Sequence, residues 1–248
     1  MIRECDYGLD IALTTNGSLL TRHAETLASS GLDRVTVSLD AIEDEIVQDI
    51  SNSSISSNDI IEGIKAALEH GLEVKVNTVI IKNYNEHQII PITQRFSEMG
   101  VSVRFIEYMD VGGTKNWNPE QVVFGDEIRT IIATRFGRLK PLKQQKYGEV
   151  ANRWSLSNGY EIGFIESISK PFCQSCTRAR ISANGKLYTC LFSERGYDLK
   201  SLITMGADIK DLRDAVIALW RKRDDRYSEL RTVQQVETNP VEMHFIGG

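Results

Sequence analysis

The sequence predicts an α/β protein: a partial (βα) barrel of the TIM-like kind, followed by a C-terminal α+β domain. Three observations carry that expectation. Over the first 110 residues short apolar runs alternate with amphipathic helical patterns, and three of the helices end on a glycine just before the next run. Each run has one apolar and one polar face. Beyond residue 110 the alternation stops, and three of the four cysteines crowd into eighteen residues. Strands alternating with helices signal a parallel sheet joined by crossover helices.

Taken in order, Leu9 to Thr14 reads as a strand, and the Asn16-Gly17 turn leads into a helix over Leu19 to Ser30 that Gly31 closes. Arg34 to Leu39 is the second strand; a further helix and a Ser/Asn-rich segment, Ser51 to Ser57, follow. A helix from Asp59 to His70 ends at Gly71, and a strand from Glu73 to Ile81 comes next. The helix Glu86 to Met99 ends at Gly100, before a strand from Val101 to Tyr108. Then come a loop over Asp110 to Trp117, a helix over Asp126 to Phe136, and strands near Arg153–Leu156 and Glu161–Ile165. A last helix is expected from Asp211 to about Tyr227, with the charge run Arg221 to Arg226 as its solvated face. The expected domains are 1–110 and 111–248.

Four βα units do not close a barrel, and the chain opens almost directly on a strand whose outer side would lack a partner. The barrel is therefore expected to lack two units, on the order of 60–90 residues at roughly 30 per unit.

Length and composition remove other classes. The 248 residues, 41% hydrophobic, give room for one large or two modest domains. No apolar run approaches the ~18 residues of a membrane span. The opening Met1 to Asp6 lacks a signal-peptide layout, so a cytoplasmic protein without a membrane partner is expected. A net charge of -5 argues against a nucleic-acid partner, which would need a basic face, but not against a small anion met by a few placed arginines.

Side chains along a strand alternate between faces. One face carries Ile11, Leu13, Val35, Val37, Leu39, Val74, Val76, Val103 and Phe105. The other carries Ala12, Thr14, Asn16, Thr36, Ser38, Asp40, Lys75, Asn77, Ser102, Arg104 and Tyr108. Helices should cover the apolar face, which turns the polar set inward. Burying Lys75 and Arg104 dry and unpaired would cost several kcal/mol each, so the interior should hold water and a charged ligand. A sheet with one solvated face is the competing reading, although parallel sheets are rarely exposed on one side.

The segment Cys173-Gln174-Ser175-Cys176-Thr177-Arg178-Ala179-Arg180, followed by Cys190, has the spacing C-x2-C-x13-C. An Asn184-Gly185 hairpin turn would return Cys190 to the first two cysteines. Disulfides do not suit a reducing compartment, and ordinary core cysteines leave the spacing unexplained. Zinc normally takes four protein ligands; Cys5 and all four histidines (His23, His70, His87 and His244) are remote in sequence, so zinc would need a distant fourth ligand. A four-iron cluster on three cysteines, with one iron open, fits the count better. Arg178 and Arg180, two residues apart, would share a face, balance the cluster's charge and clamp a phosphate.

Together, Thr14 to Gly17, Val37 to Asp40, Val74 to Asn77, Arg104 to Met109, the cysteine–arginine segment and the terminal Gly247-Gly248 resemble the GTP 3′,8-cyclase family of radical S-adenosylmethionine (SAM) enzymes, which opens molybdenum cofactor biosynthesis. The resemblance implies a radical SAM type partial barrel, of which units three to six are present. It implies that Cys173, Cys176 and Cys190 ligate an auxiliary [4Fe-4S] cluster whose open iron meets the guanine of GTP. Thr14, Lys75, Arg178, Ala179 and Arg180 would contact GTP, and Ser38 and Met109 would contact SAM. Arg104 would belong to the catalytic polar network, and Gly247 and Gly248 would reach into the site to assist the first radical step. In the family a 5′-deoxyadenosyl radical abstracts hydrogen from ribose C3′, and the C3′ radical attacks C8 of guanine. A homodimer and a downstream pathway partner, cyclic pyranopterin monophosphate synthase, are also implied.

Two departures stand out. The family's radical-generating cluster sits on C-x3-C-x2-C, which these 248 residues do not contain, and the glycine-rich SAM segment is missing too. The polypeptide alone is therefore expected to be inactive. Asp110 stands where the family pattern usually has proline. Competing readings are a peptide-modifying radical SAM enzyme and a non-catalytic zinc-binding or nucleotide-binding module.

Overall fold

A computed structural model describes residues 2–5, 8–111, 117–230, 241 and 245. The first elements alternate as the sequence predicts: β1 (Ala12–Thr15), α1 (Leu20–Ser29), β2 (Arg34–Ser38), α2 (Asp44–Ser51), α3 (Ser57–Glu69), β3 (Glu73–Ile80), α4 (Ile89–Glu98) and β4 (Ser102–Glu107). Then follow α5 (Gly125–Phe136), β5 (Lys140–Pro141), β6 (Asn152–Ser155) and β7 (Glu161–Ile165).

Two helix starts differ from the sequence reading for local reasons. α3 begins at Ser57 because Ser56 and Asp59 form a reciprocal capping box, the Ser56 hydroxyl accepting from the Asp59 N–H at 3.1 Å. α4 begins at Ile89, after a 3-10 turn over Glu86–Gln88. Pro91 has no N–H to donate to the carbonyl four residues back, so the α-helical ladder cannot extend further toward the N-terminus.

The seven strands lie in the order β1-β2-β3-β4-β7-β6-β5. β1 to β4 and β7 run parallel, while β6 and β5 are antiparallel additions. The apolar face behaves as expected. Val35, Val37, Val74, Val76, Val103, Phe105, Ile162 and Phe164 are buried in one cluster with Ile60, Ile64, Ile92, Phe96, Ile128 and Ile132 of the helices. Ile11 and Leu13 are only half-buried, since β1 is an edge strand.

The chain divides into two units, Met1–Tyr108 with Pro119–Ser169, and Met109–Asn118 with Lys170–Gly248. The structure thus draws the boundary differently from the expected 1–110 and 111–248. β7 pairs in parallel with β4, and Ile162 and Phe164 continue the buried face of the same sheet. That non-local pairing carries α5 and β5 to β7 into the first unit. Glu107, 1% exposed, fastens the end of this stretch: its carboxylate accepts from the backbone N–H groups of Gly125, Ile168 and Ser169.

The second unit contains a three-stranded sheet, β8 (Arg180–Ile181), β9 (Lys186–Tyr188) and β10 (Tyr197–Asp198), in the order β10-β9-β8, with α6 (Leu199–Thr204), α7 (Ile209–Arg221) and α8 (Tyr227–Leu230). α7 stops at Arg221 instead of continuing to Tyr227, because Arg223 is turned inward, where its guanidinium stacks 4.8 Å from the Trp220 ring and pairs with Asp225 at 3.1 Å.

Candidate functional site

In the first unit the strand register sorts the polar face into rungs. Thr14, Thr36, Lys75 and Ser102 share one, and Ser38, Asn77, Arg104 and Gly163 share the next. Thr14 and Ser38 are exposed, while Lys75, Asn77 and Arg104 are half-buried. Most cations on this face have a carboxylate. Arg34 bonds Asp10 at 2.9 Å, Lys75 bonds Glu73 at 2.5 Å, and Arg153 grips Glu161 with two bonds of 2.6 and 2.8 Å.

The Arg104 guanidinium makes no hydrogen bond or ion pair among the described residues, its ladder pairing with β3 and β7 being through the backbone. Burial, and then the nearby Arg34 charge, hold its pKa below the usual guanidinium range. Gly163 makes the space it occupies: a Cβ there would stand 3.1 Å from Arg104 Cγ. Beside Arg104 in the rung, the side-chain oxygen of Asn77, Oδ1, is buried without a hydrogen-bond partner. The guanidinium can donate to an anionic group, and the orphaned amide oxygen can accept from a donor. At the carboxyl ends of β1 and β2, a cavity of about 40 Å³ is bordered by Asn16, Ser38, Asp40 and Val47. Burial pushes the Asp40 carboxyl up to about 6, against a lowering hydrogen bond from the Val79 N–H.

In the second unit the β8–β9 hairpin pairs Arg180 with Tyr188 and Ile181 with Leu187, and it turns through Gly185 at φ +82°. A side chain at Gly185 would strike Lys200 Cβ at 2.7 Å, so both the left-handed backbone and the close approach require glycine. Cys190 follows two residues after Tyr188, the β9 partner of Arg180.

Cys173, Cys176 and Cys190 are free thiols, each half-buried. Burial raises Cys190, and the charges of Cys173 and Cys176 add to that shift. Burial also acts to raise Cys176, but hydrogen bonds from the Arg223 side chain and from the Arg178 backbone and side chain overcome it and hold the thiol at about 7. Arg178 donates from Nη2 to the Cys176 sulfur at 3.3 Å, stacks 4.9 Å from the Phe172 ring, and keeps a buried Nε with no acceptor. Arg180 is half-buried; desolvation and the Arg178 charge lower its pKa while the Cys176 and Cys190 thiolates raise it. Ala179 lies exposed between the two arginines, so both guanidiniums occupy the thiol side. Among the described residues no group of three or more His, Cys, Asp or Glu is arranged to hold a single metal ion.

Sequence reasoning missed Arg223. Its charge run reads as solvated, yet the Arg223 side chain is 11% exposed and its Nη1 donates to the Cys176 carbonyl. Met109 is half-buried in the second unit, and its neighbour Asp110 accepts a 3.0 Å hydrogen bond from Tyr227, whose ring stacks on Phe192. Gly247 and Gly248 lie outside the described residues.

Residues 1–96 match the Radical SAM superfamily model, and residues 101–229 match the Molybdenum Cofactor Synthesis C model. A GTP 3′,8-cyclase from Staphylococcus epidermidis is 45% identical over 244 residues, covering 96% of this chain and 72% of that relative. One from Staphylococcus aureus is 44% identical over 252 residues, covering the whole of this chain and 74% of the relative. The chain belongs to the GTP 3′,8-cyclase family. Among solved structures, Streptococcus suis SuiB bound to S-adenosylmethionine superposes with a TM-score of 0.51 at 14% identity, over 84% of this chain and 50% of that one. This member of the cyclase family therefore has a partial TIM-like radical SAM fold, and its family works in molybdenum cofactor biosynthesis. No helix among the described residues is long and apolar enough to cross a membrane.

The donor set can be tested against the groups that the superfamily uses. The second unit fits an iron–sulfur cluster: three unpaired thiols that influence one another's ionisation, one of them poised as thiolate, beside a buried guanidinium nitrogen with no acceptor. The SAM-cleaving cluster does not fit these 248 residues, which contain no C-x3-C-x2-C.

Proposed function

We propose that this chain serves the GTP 3′,8-cyclase reaction, the rearrangement of GTP to (8S)-3′,8-cyclo-7,8-dihydroguanosine 5′-triphosphate, by holding the substrate beside an auxiliary cluster. The observation that carries the reading is the gathering of Cys173, Cys176 and Cys190 beside Arg178 and Arg180. The three thiolates would hold an auxiliary [4Fe-4S] cluster, which when bound supplies an open iron for a purine nitrogen or oxygen. Every further contribution belongs to the chain itself. Arg178 and Arg180 attract and orient the anionic nucleotide, with Ala179 between them in contact range. On the first unit Thr14 and Lys75 bind GTP, and release of Lys75 from Glu73 supplies a cation for phosphate. Ser38 and Met109 bind SAM. Arg104, with Asn77 beside it, fixes the polar groups of the bound molecules, and Gly247 and Gly248 assist the first step. Holding base and ribose in an attack-ready geometry is the protein's main contribution to rate.

A cytoplasmic homodimer feeding cyclic pyranopterin monophosphate synthase is part of the same reading. So is the expectation that the polypeptide alone binds GTP without converting it. Calorimetric titration of GTP into the anaerobically reconstituted protein tests the site. The Arg178→Ala, Arg180→Ala double variant should bind at least about tenfold more weakly, since a hydrogen bond to a charged group contributes about 1.5–3 kcal/mol. Wild-type affinity in that variant would refute the assignment.

A further inference from the structure

Arg223 touches the thiol site from a helix terminus that the cyclase reading does not use. Its Nη1 donates to the Cys176 carbonyl. The sulfur of the same residue receives the 3.3 Å bond from Arg178. The group is held from three sides: the Trp220 ring lies 4.8 Å from its carbon, Asp225 takes its Nε at 3.1 Å, and the backbone N–H of Arg223 donates to the Trp220 carbonyl at 3.2 Å. A side chain with that many constraints is not a solvated cation. Its planar fork joins the Cys176 carbonyl to the Asp225 carboxylate, a geometry that lysine cannot reproduce in full.

We propose that Arg223 is a positioning residue for the auxiliary iron–sulfur cluster, fixing the backbone of Cys176 and raising the cluster's reduction potential through the positive charge it holds at that residue. The inference rests on the cluster reading above. Hydrogen bonds and positive charge at a ligating sulfur stabilise the added electron, so such contacts raise the potential. Asp225 offsets part of that charge, so removing Arg223 also leaves the Asp225 carboxylate uncompensated near the thiols. Arg178 meets the sulfur itself and has a buried Nε free for an acceptor; Arg223 meets the carbonyl, has its Nε engaged by Asp225 and is committed to the protein. The two arginines therefore divide the work, one facing a ligand and one anchoring the cysteine.

The test is redox titration of the reconstituted chain followed by electron paramagnetic resonance. With four cysteines in the sequence, three of them at this site, a four-iron signal reports this cluster. Iron and sulfide are counted alongside. Arg223→Met should keep the cluster but lower its midpoint by about 59 mV, a tenfold shift in the one-electron equilibrium. Arg223→Lys should recover part of that loss, and Arg221→Met, an exposed cation two residues away, should leave the midpoint unmoved. A less than twofold shift in Arg223→Met, or an equal shift in Arg221→Met, would overturn the proposal. If Arg223→Met fails to retain iron, Arg223→Lys decides, a midpoint indistinguishable from wild type again overturning it. A wild-type chain that takes up no iron and sulfide would refute the cluster reading itself, a result distinguishable from either.

Discussion

Cys176 and Cys190 should ionise in an order that their surroundings dictate, and alkylation of the metal-free protein reads that order directly. Cys176 sits at about 7 against an ordinary 9.0, and Cys190 is raised. At pH 7 about half of Cys176 is thiolate, against about 1% of an unperturbed thiol, roughly a fifty-fold excess. A less basic thiolate is also less nucleophilic, with a slope of about 0.4–0.5, which removes about tenfold over two units. Cys176 should therefore react with iodoacetamide about fivefold faster than an ordinary cysteine at pH 7, and Cys190 more slowly still. Peptide mass mapping of anaerobic samples between pH 6 and 9.5 gives each rate. The Cys176 profile should level off above a midpoint near 7, while that of Cys190 still climbs at the top of the range. Equal midpoints, or Cys190 reacting first, would show that Arg178 and Arg223 do not stabilise the Cys176 thiolate.

Other consequences are equally open to measurement. Asp40 holds its proton up to about 6 in the folded chain and gives it up near 3.8 when unfolded, so stability should fall as pH rises from about 4 to about 6. The loss is at most about 3 kcal/mol at 1.36 kcal/mol per unit. Urea melts of Asp40→Asn should lack that slope and show higher stability than wild type at pH 8. Arg129 is 7% exposed and bonds Glu166, itself 2% exposed, at 2.8 Å. Arg129→Met removes the cation paired with that buried carboxylate, which also accepts from Asn152, and should cost about 3–5 kcal/mol by the same melts; a loss below about 1 kcal/mol contradicts the reading. Gly163→Val has no room beside Arg104 Cγ and the Ala151 methyl at 3.2 Å, so it should weaken GTP binding about tenfold without changing iron content. Unchanged calorimetric affinity would separate Arg104 from the nucleotide.

What the sequence revealed and what it hid divide along local and non-local lines. The period-two face of β3, from Val74 to Asn77, and the apolar stripes of α1 and α3 are local patterns, and the structure places them as read. The capping box at Ser56 and the missing N–H of Pro91 were equally local, and they account for the small errors in the starts of α3 and α4. The pairing of β7 with β4 joins residues about 60 apart, and no nearby side chain announces it. Arg223 is hidden in the same way: the run from Arg221 to Arg226 looks uniformly solvated until the fold brings one member back to Cys176, 47 positions earlier. The cysteine spacing was legible because all three thiols lie within one short stretch that the β8–β9 hairpin folds back on itself. The Cys176–Arg178 contact sits within that same short interval.

Anaerobic reconstitution with iron and sulfide, followed by elemental analysis and electron paramagnetic resonance with and without GTP, goes straight to the central claim. The chain should take up about four irons and four sulfides, and GTP should change the spectrum of that cluster, because the nucleotide is expected to meet its open iron. Stoichiometric zinc without sulfide, or a cluster spectrum indifferent to saturating GTP, would contradict it.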